Sequence, residues 1–196
     1  MSSETVDTGR RRFLTATTTV VGGAGVVALA IPFIESWQPS ARAQAAGVPV
    51  DVDVSQLQPG QKIEVAWRGQ PVFVIRRTAA AMAQLSKNDP RLKDPNSDES
   101  EQPDYAKNES RSRRGEYLVI VAICTHLGCV PLFVPEMKAQ PFDSNWPGGF
   151  FCPCHKSRFD MAARVFQNVP APTNLRVPPH AFSADGNSLT VGVDKV

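Results

Sequence analysis

The sequence predicts an all-β domain that follows a single membrane-spanning helix. Short runs that alternate apolar and polar residues, such as KIEVAW at 62–67, are typical of half-buried strands. An uncharged stretch of 22 residues, from Phe13 to Ile34, is long enough to cross a bilayer as a helix. The 17 prolines and 13 glycines among 196 residues favour short strands joined by turns over long helices.

The N-terminal segment carries its positive charge on one side of the apolar stretch. Residues 10–12 are all arginine, which places residues 1–12 in the cytoplasm and the chain after the predicted span at 13–35 outside it. Arg-Arg-x-Phe-Leu is also the pattern of a twin-arginine export signal. A cleaved signal is the alternative, with possible sites at 41–43 and 43–45. The apolar stretch exceeds the roughly 7–15 residues of a signal-peptide core, so we interpret it as an uncleaved anchor.

After the anchor, residues 36–47 are small and polar and predict a linker, and residues 48–196 form the head domain. One helix is expected, at Thr78–Leu85. The expected strands are 48–54, 62–67, 72–76, the buried run 117–124, and a C-terminal hairpin of 181–183 with 189–193. The hairpin turns at Asp185-Gly186, a pair that tolerates positive φ. These strands predict a mostly antiparallel sheet structure.

Residues 86–115 are highly polar and lack apolar periodicity, so we expect a surface insertion that is mostly solvated. The chain as a whole has 21 basic and 19 acidic residues, a net charge of +2. This balance gives no reason to expect a nucleic-acid partner.

All four cysteines and two of the three histidines fall within 32 positions. They form two boxes, Cys124-Thr125-His126-Leu127-Gly128-Cys129 and Cys152-Pro153-Cys154-His155. The cysteines could form two disulfides in an exported protein, with incidental histidines. Zinc could also be bound, although it takes four ligands and leaves two donors without a role. In the third interpretation, four residues hold an iron–sulfur cluster and the other two cysteines pair.

The pattern C-x-H-x-x-C with C-x-C-H resembles the Rieske proteins of cytochrome bc1 complexes. The likeness includes Trp67-Arg68-Gly69-Gln70-Pro71-Val72-Phe73 and Pro170-Ala171-Pro172, and it covers nearly the whole chain. It implies a Rieske-type antiparallel β-sandwich with a small cluster-binding subdomain at about 120–172 and one [2Fe–2S] cluster.

The resemblance also implies roles for the residues of the boxes. Cys124 and Cys152 would bind the inner iron, and His126 and His155 the outer iron. Cys129 and Cys154 would form a disulfide between the two loops.

The residues beside the boxes match the family pattern at some positions and depart from it at others. Ser157 matches a serine whose hydroxyl donates to the cluster and raises its potential. Phe159 stands where many high-potential members have tyrosine, and Lys156 replaces a usual glycine. Val169-Pro170-Ala171-Pro172 is similar to the loop that covers the cluster, and His180 has no counterpart, so we expect it to be structural.

The implied function is that of the electron-transfer subunit of a bacterial ubiquinol–cytochrome c reductase, a proton-translocating, dimeric complex of the inner membrane. The redox-active histidines would be His155 and His126, on a periplasmic head that takes an electron and a proton from ubiquinol at cytochrome b. The head would move about the linker to reach cytochrome c1. An exported molybdenum oxidase subunit, such as that of arsenite oxidase, is the alternative; a Rieske ferredoxin or oxygenase component and a non-redox disulfide-stabilised domain are weaker ones.

Overall fold

The computed structural model describes residues 7–40 and 47–194. The chain divides into two compact units, Met1–Ala45 and Ala46–Val196. The candidate cleavage sequences and half of the predicted linker, residues 41–46, lie outside the described residues.

The N-terminal unit contains one long helix, α1 (Thr8–Glu35). Its N-terminus is capped by the Asp7 carboxylate, which accepts from the backbone N–H groups of Gly9 and Arg10 at 2.9 and 3.1 Å. The helix therefore begins before the predicted span and includes the three arginines. Among the described residues it is the one helix long and apolar enough to cross a membrane.

Three of the threonines in α1 pair their hydroxyls within the helix. Thr15, Thr18 and Thr19 each donate to the backbone carbonyl four residues earlier, at 2.8, 2.8 and 2.9 Å. A hydroxyl that is bonded within its own helix needs no water, which lowers the cost of placing it in a bilayer. The helix is consequently more compatible with hydrocarbon than its composition suggests.

The C-terminal unit contains three small antiparallel sheets. The first has the order β2-β3-β4 and the second β1-β9-β8, from the strands β1 (Val50–Asp53), β2 (Lys62–Trp67), β3 (Gln70–Arg76), β4 (Tyr117–Val121), β8 (His180–Phe182) and β9 (Ser188–Val191). The third has the order β5-β6-β7, from β5 (Leu132–Val134), β6 (Gly149–Phe151) and β7 (Arg158–Phe159). The mostly antiparallel β head expected from the sequence is confirmed.

The first sheet separates two hydrophobic cores. Val72, Val74 and Val119 pack on one face with residues of β1 and β9. Phe73 and Ile75 point to the other face and pack with residues of the cysteine–histidine region. Because successive side chains of a strand point to opposite faces, burial on both sides explains why 117–124 is apolar throughout.

The third sheet was not expected from the sequence. Its strands have only two or three residues each, too few to show a repeating pattern of apolar and polar side chains. Phe150 lies opposite both Phe133 and Phe159 in this sheet, so its pairing depends on residues that are distant along the chain.

A second helix, α2 (Ala79–Asn88), confirms the predicted helix and extends three residues beyond it. The Thr78 hydroxyl caps it by accepting from the Ala81 N–H at 3.1 Å. Short 3-10 helices follow at Asp89–Arg91 and Asp104–Ala106, inside the polar insertion.

The expectation that the insertion is a solvated excursion is wrong. Leu92, Ala106 and Arg111 are buried, and the Arg111 guanidinium donates to the carbonyls of Ala162 and Ala163 at 3.3 and 3.2 Å. Burial lowers the pKa of Arg111 to about 10. Polar side chains that are buried by bonding to main-chain carbonyls leave no apolar periodicity, so the sequence pattern could not reveal this packing.

Candidate metal centre

The two boxes form loops of the same shape. In the first loop the Cys124 N–H donates to the Cys129 carbonyl at 2.8 Å, and the Gly128 N–H donates to the Cys124 carbonyl at 3.0 Å. The second loop repeats these bonds between Cys152 and Ser157 (2.8 Å) and between Lys156 and Cys152 (2.9 Å). The first follows β4 and the second joins β6 to β7, so both are held by strands.

A disulfide joins the two loops. The sulfurs of Cys129 and Cys154 are bonded, with Cα atoms 6.7 Å apart. Cys124 and Cys152 are the two free cysteines, and both are buried. The Sγ atom of Cys152 lies within 4.8 Å of both disulfide sulfurs, but bonded sulfurs are poor metal ligands, which leaves the two free thiols as sulfur donors.

The two histidines of the boxes face each other. Their ring centroids are 4.7 Å apart and the rings are nearly perpendicular, at 89°. His155 is exposed, whereas His126 is half-buried and its Nδ1 atom is buried without a hydrogen-bond partner in the described chain.

These four donors fit a metal group. A buried ring nitrogen without a partner costs free energy unless something binds it, and a metal ion would do so. Two thiols and two imidazoles are the donor set that iron–sulfur centres of mixed ligation use, although they would also suit zinc. The chemistry of these donors, with the facing histidines and the unpartnered His126 Nδ1, therefore fits a metal site and leaves the metal to be identified.

The pKa of the Cys124 thiol is raised above its ordinary value. Burial raises the pKa of its thiol, while hydrogen bonds from the His126 N–H and the Ser157 hydroxyl lower it. The same two neighbours would stabilise a thiolate bound to a metal, because a hydrogen bond to a sulfur favours its negatively charged form.

The segment 169–173, which we call the cover loop, is hydrogen-bonded to both box loops. The Thr125 hydroxyl donates to the Thr173 carbonyl at 2.7 Å. The Ala171 N–H donates to the Ser157 hydroxyl oxygen at 3.0 Å. Each box loop is thus attached to the cover loop by one hydroxyl.

The structure also places Lys156, Phe159 and His180. Lys156 has φ of 61°, in the left-handed region that favours glycine. Phe159 is fully buried. His180 is buried in the interior and contacts Tyr105 and the Pro178 carbonyl, outside the pair of boxes.

A depression of about 630 Å³ lies beside His155. Its lining includes the rings of Phe142 and Phe151, which stack 3.9 Å apart, and Pro170 of the cover loop. No sequence pattern indicates that Phe142 lies here, since it is 13 positions from His155 in a segment without periodicity.

The comparison with known protein families identifies the class of this site. The Rieske [2Fe–2S] domain matches residues 48–179, which include both boxes and the cover loop. The protein is therefore a Rieske iron–sulfur protein, and its cofactor is a [2Fe–2S] cluster. The N-terminal domain described as the TAT signal of the ubiquinol–cytochrome c reductase Fe–S subunit matches residues 1–40.

Similar proteins narrow the class to one family. The ubiquinol–cytochrome c reductase iron–sulfur subunit of Allochromatium vinosum is 52% identical over 195 residues, covering 100% of this chain and 94% of the relative. That of Blastochloris viridis is 43% identical, covering 97% of each chain. A chain of a hyperthermophilic respiratory Complex III is 26% identical with a TM-score of 0.46, covering 91% of this chain and 98% of that one. The chain belongs to the family of ubiquinol–cytochrome c reductase iron–sulfur subunits.

Proposed function

We propose that this chain carries electrons from ubiquinol to cytochrome c1 within a proton-translocating cytochrome bc1 complex. Cys124 and Cys152 would supply the thiolate ligands of the cluster, and His126 and His155 would supply its imidazole ligands. The observation that carries the proposal is the exposed ring of His155 beside two buried thiols, on loops fixed by a disulfide.

The bound cluster supplies a one-electron carrier, and centres of this type have potentials of about −150 to +300 mV. His155 presents its ring to solvent, so a quinol held by cytochrome b can hydrogen-bond to it and transfer one electron and one proton. His126 would be the second imidazole ligand of the cluster. The buried cysteines keep the sulfur ligands away from water, and their negative charge is balanced by nearby N–H and O–H donors.

Delivery to cytochrome c1 requires the head to move, and we assign that motion to the linker at 36–47. Helix α1 anchors the chain in the bacterial inner membrane, with the N-terminus in the cytoplasm and the head in the periplasm. The complex is a dimer in this proposal.

The linker motion can be tested by replacing residues 43–47 by prolines. This change should slow turnover of the complex and leave the cluster intact, whereas unchanged turnover would contradict motion through this segment.

Low-temperature EPR on membranes tests the proposal, with ascorbate and then dithionite as reductant. We expect a rhombic Rieske signal with ascorbate that changes when a quinol-site inhibitor is added. A signal with dithionite only would contradict the quinol-oxidising function, and no signal would contradict the cluster. Co-purification with b- and c-type haem is expected; molybdenum in the preparation would favour the oxidase alternative.

The ligand assignment has a matched control in the third histidine. His126→Ala and His155→Ala should abolish the signal, while His180→Asn should keep it because His180 lies outside the boxes. Loss of the signal in folded His180→Asn would contradict the assignment.

A further inference from the structure

Hydrogen bonds connect the polar insertion to Asn174, the residue that follows the cover loop. Asn174 is buried, and its side chain uses both ends. Its Oδ1 accepts from the Val165 N–H at 2.7 Å, and its Nδ2 donates to the Asp94 carbonyl and to the Ser97 hydroxyl, both at 2.9 Å. A buried amide with this many partners has its orientation fixed.

Residues 94–100 of the insertion fold around the Asn174 side chain. The Asp94 carboxylate accepts from the Asp98 N–H at 2.8 Å and from the Ser100 hydroxyl at 2.6 Å. The Ser100 hydroxyl oxygen in turn accepts from the Asn174 N–H at 3.3 Å. Residues 94–100 therefore form a turn whose polar groups converge on Asn174.

Asn174 directly follows the cover loop. One residue before it, the Thr173 carbonyl accepts from Thr125, which lies between Cys124 and His126. Three residues before it, the Ala171 N–H donates to Ser157. The cover loop is thus bonded to the box loops on one side and to the insertion on the other.

The hydrogen bond from the Ala171 N–H orients the Ser157 hydroxyl. Since the oxygen accepts from Ala171, the hydroxyl proton is directed away from the cover loop, on the side of the second box loop to which Ser157 belongs. A donor to a ligand sulfur favours the reduced cluster, which carries one more negative charge, and so raises the midpoint potential.

We propose that Asn174 is a positioning residue: with Asp94 and Ser100 of the insertion it fixes the cover loop, and thereby holds the Ser157 hydroxyl as a donor to the cluster. This inference rests on the proposed cluster site and gives the insertion a role in tuning the cluster. Without Asn174 the Ala171 N–H shifts, Ser157 loses its fixed orientation, and the midpoint potential falls.

The test is a double-mutant cycle on the full-length membrane protein, with the midpoint potential titrated by EPR. Ser157→Ala removes the donor directly and sets the reference shift. Asn174→Ala should lower the potential by at least half of that shift in the wild-type background and by none in the Ser157→Ala background. Equal shifts in both backgrounds, or no shift at all, would overturn the proposal.

Two further variants separate positioning from loss of stability. Ser100→Ala removes a half-buried hydroxyl and serves if Asn174→Ala fails to fold; its shift should have the same sign and should also vanish in the Ser157→Ala background. Tyr105→Phe removes the hydroxyl that bonds to His180, the attachment of the insertion at its other end, and should leave the potential unchanged. A potential shift in Tyr105→Phe as large as that in Asn174→Ala would show a general effect of loosening the insertion.

Hydrogen exchange provides a readout that does not depend on the cluster. The peptide 166–175 should exchange faster in Asn174→Ala than in wild type, and at the wild-type rate in Tyr105→Phe. An unchanged exchange rate in Asn174→Ala would contradict the proposed fixing of the loop. A missing EPR signal in the wild type would instead contradict the proposed cluster site, so the two failures are distinguishable.

Discussion

Gly128 and Lys156 occupy the same position in the two box loops. Each is the fifth residue of its loop, each donates its N–H to the carbonyl of the first cysteine, and each has positive φ, 85° and 61°. The loop shape therefore requires a left-handed residue at this place, and the second loop meets the requirement with a lysine. A side chain with a Cβ adopts this conformation at a cost of about 1 kcal/mol.

We expect Lys156→Gly to stabilise the domain by about 0.5–1 kcal/mol, because the relief of strain exceeds the added freedom of glycine in the unfolded chain. Denaturant unfolding of the protein measures this difference. Lys156→Ala is the matched control, since it removes the charge and keeps the Cβ. An equal gain in Lys156→Ala would assign the effect to the charge.

The disulfide should contribute strongly to the order of both loops. It closes a loop between residues separated by 25 positions, for which the chain-entropy model gives about 3–4 kcal/mol. We expect the double variant Cys129→Ala/Cys154→Ala, which leaves no unpaired thiol, to lower the melting temperature and to lose its Rieske EPR signal during purification. Retention of both at wild-type values would contradict a structural role for the bond.

Phe159→Tyr should raise the midpoint potential. Phe159 is buried in β7 next to the second box loop, and the family resemblance implies that a tyrosine hydroxyl there would donate to a cysteine sulfur. One added hydrogen bond to the reduced form corresponds to roughly 30–60 mV. Redox titration measures the shift, with Phe182→Tyr on the distant strand β8 as control. A fall in potential, or no change, would argue against this orientation of the new hydroxyl.

The buried His180 should make the head less stable in acid. Burial lowers the pKa of His180 to about 4, so between this value and the normal 6.5 the unfolded chain binds a proton that the folded chain does not. The associated stability is complete above pH 6.5 and is lost as the pH falls toward 4, by about 3 kcal/mol in total.

Unfolding free energies measured from pH 7 to pH 4 test this expectation. His180→Asn should show a shallower loss over that range than the wild type, because the asparagine does not titrate. Parallel curves for the two proteins would show that His180 is not the group responsible.

Membrane attachment should depend on the middle of α1. Val21→Arg places a charge at the centre of the span, which costs about 2.5–3.5 kcal/mol on insertion scales. We expect less of the Val21→Arg variant than of the control Val21→Leu to remain in carbonate-washed membranes.

The wild-type protein should keep its N-terminal segment, and its intact mass should include it. A wild-type mass that begins after residue 40 would contradict the uncleaved anchor.

The sequence by itself determined the chemistry of this protein and its regular parts. The two boxes predicted the donors, because cysteine and histidine are rare in the chain and are concentrated there. Burial on both faces made the strand at 117–121 apolar throughout, and the 22-residue uncharged stretch indicated the helix, since both patterns follow directly from repeated local geometry.

Only the tertiary structure decided how the insertion and the short strands are arranged. The strands β5 to β7 are too short for a pattern, and Asn174 meets Asp94 across 80 positions of chain. Their pairing depends on hydrogen bonds between residues distant in sequence, and a polar residue that is buried by such bonds looks in the sequence like one that faces water.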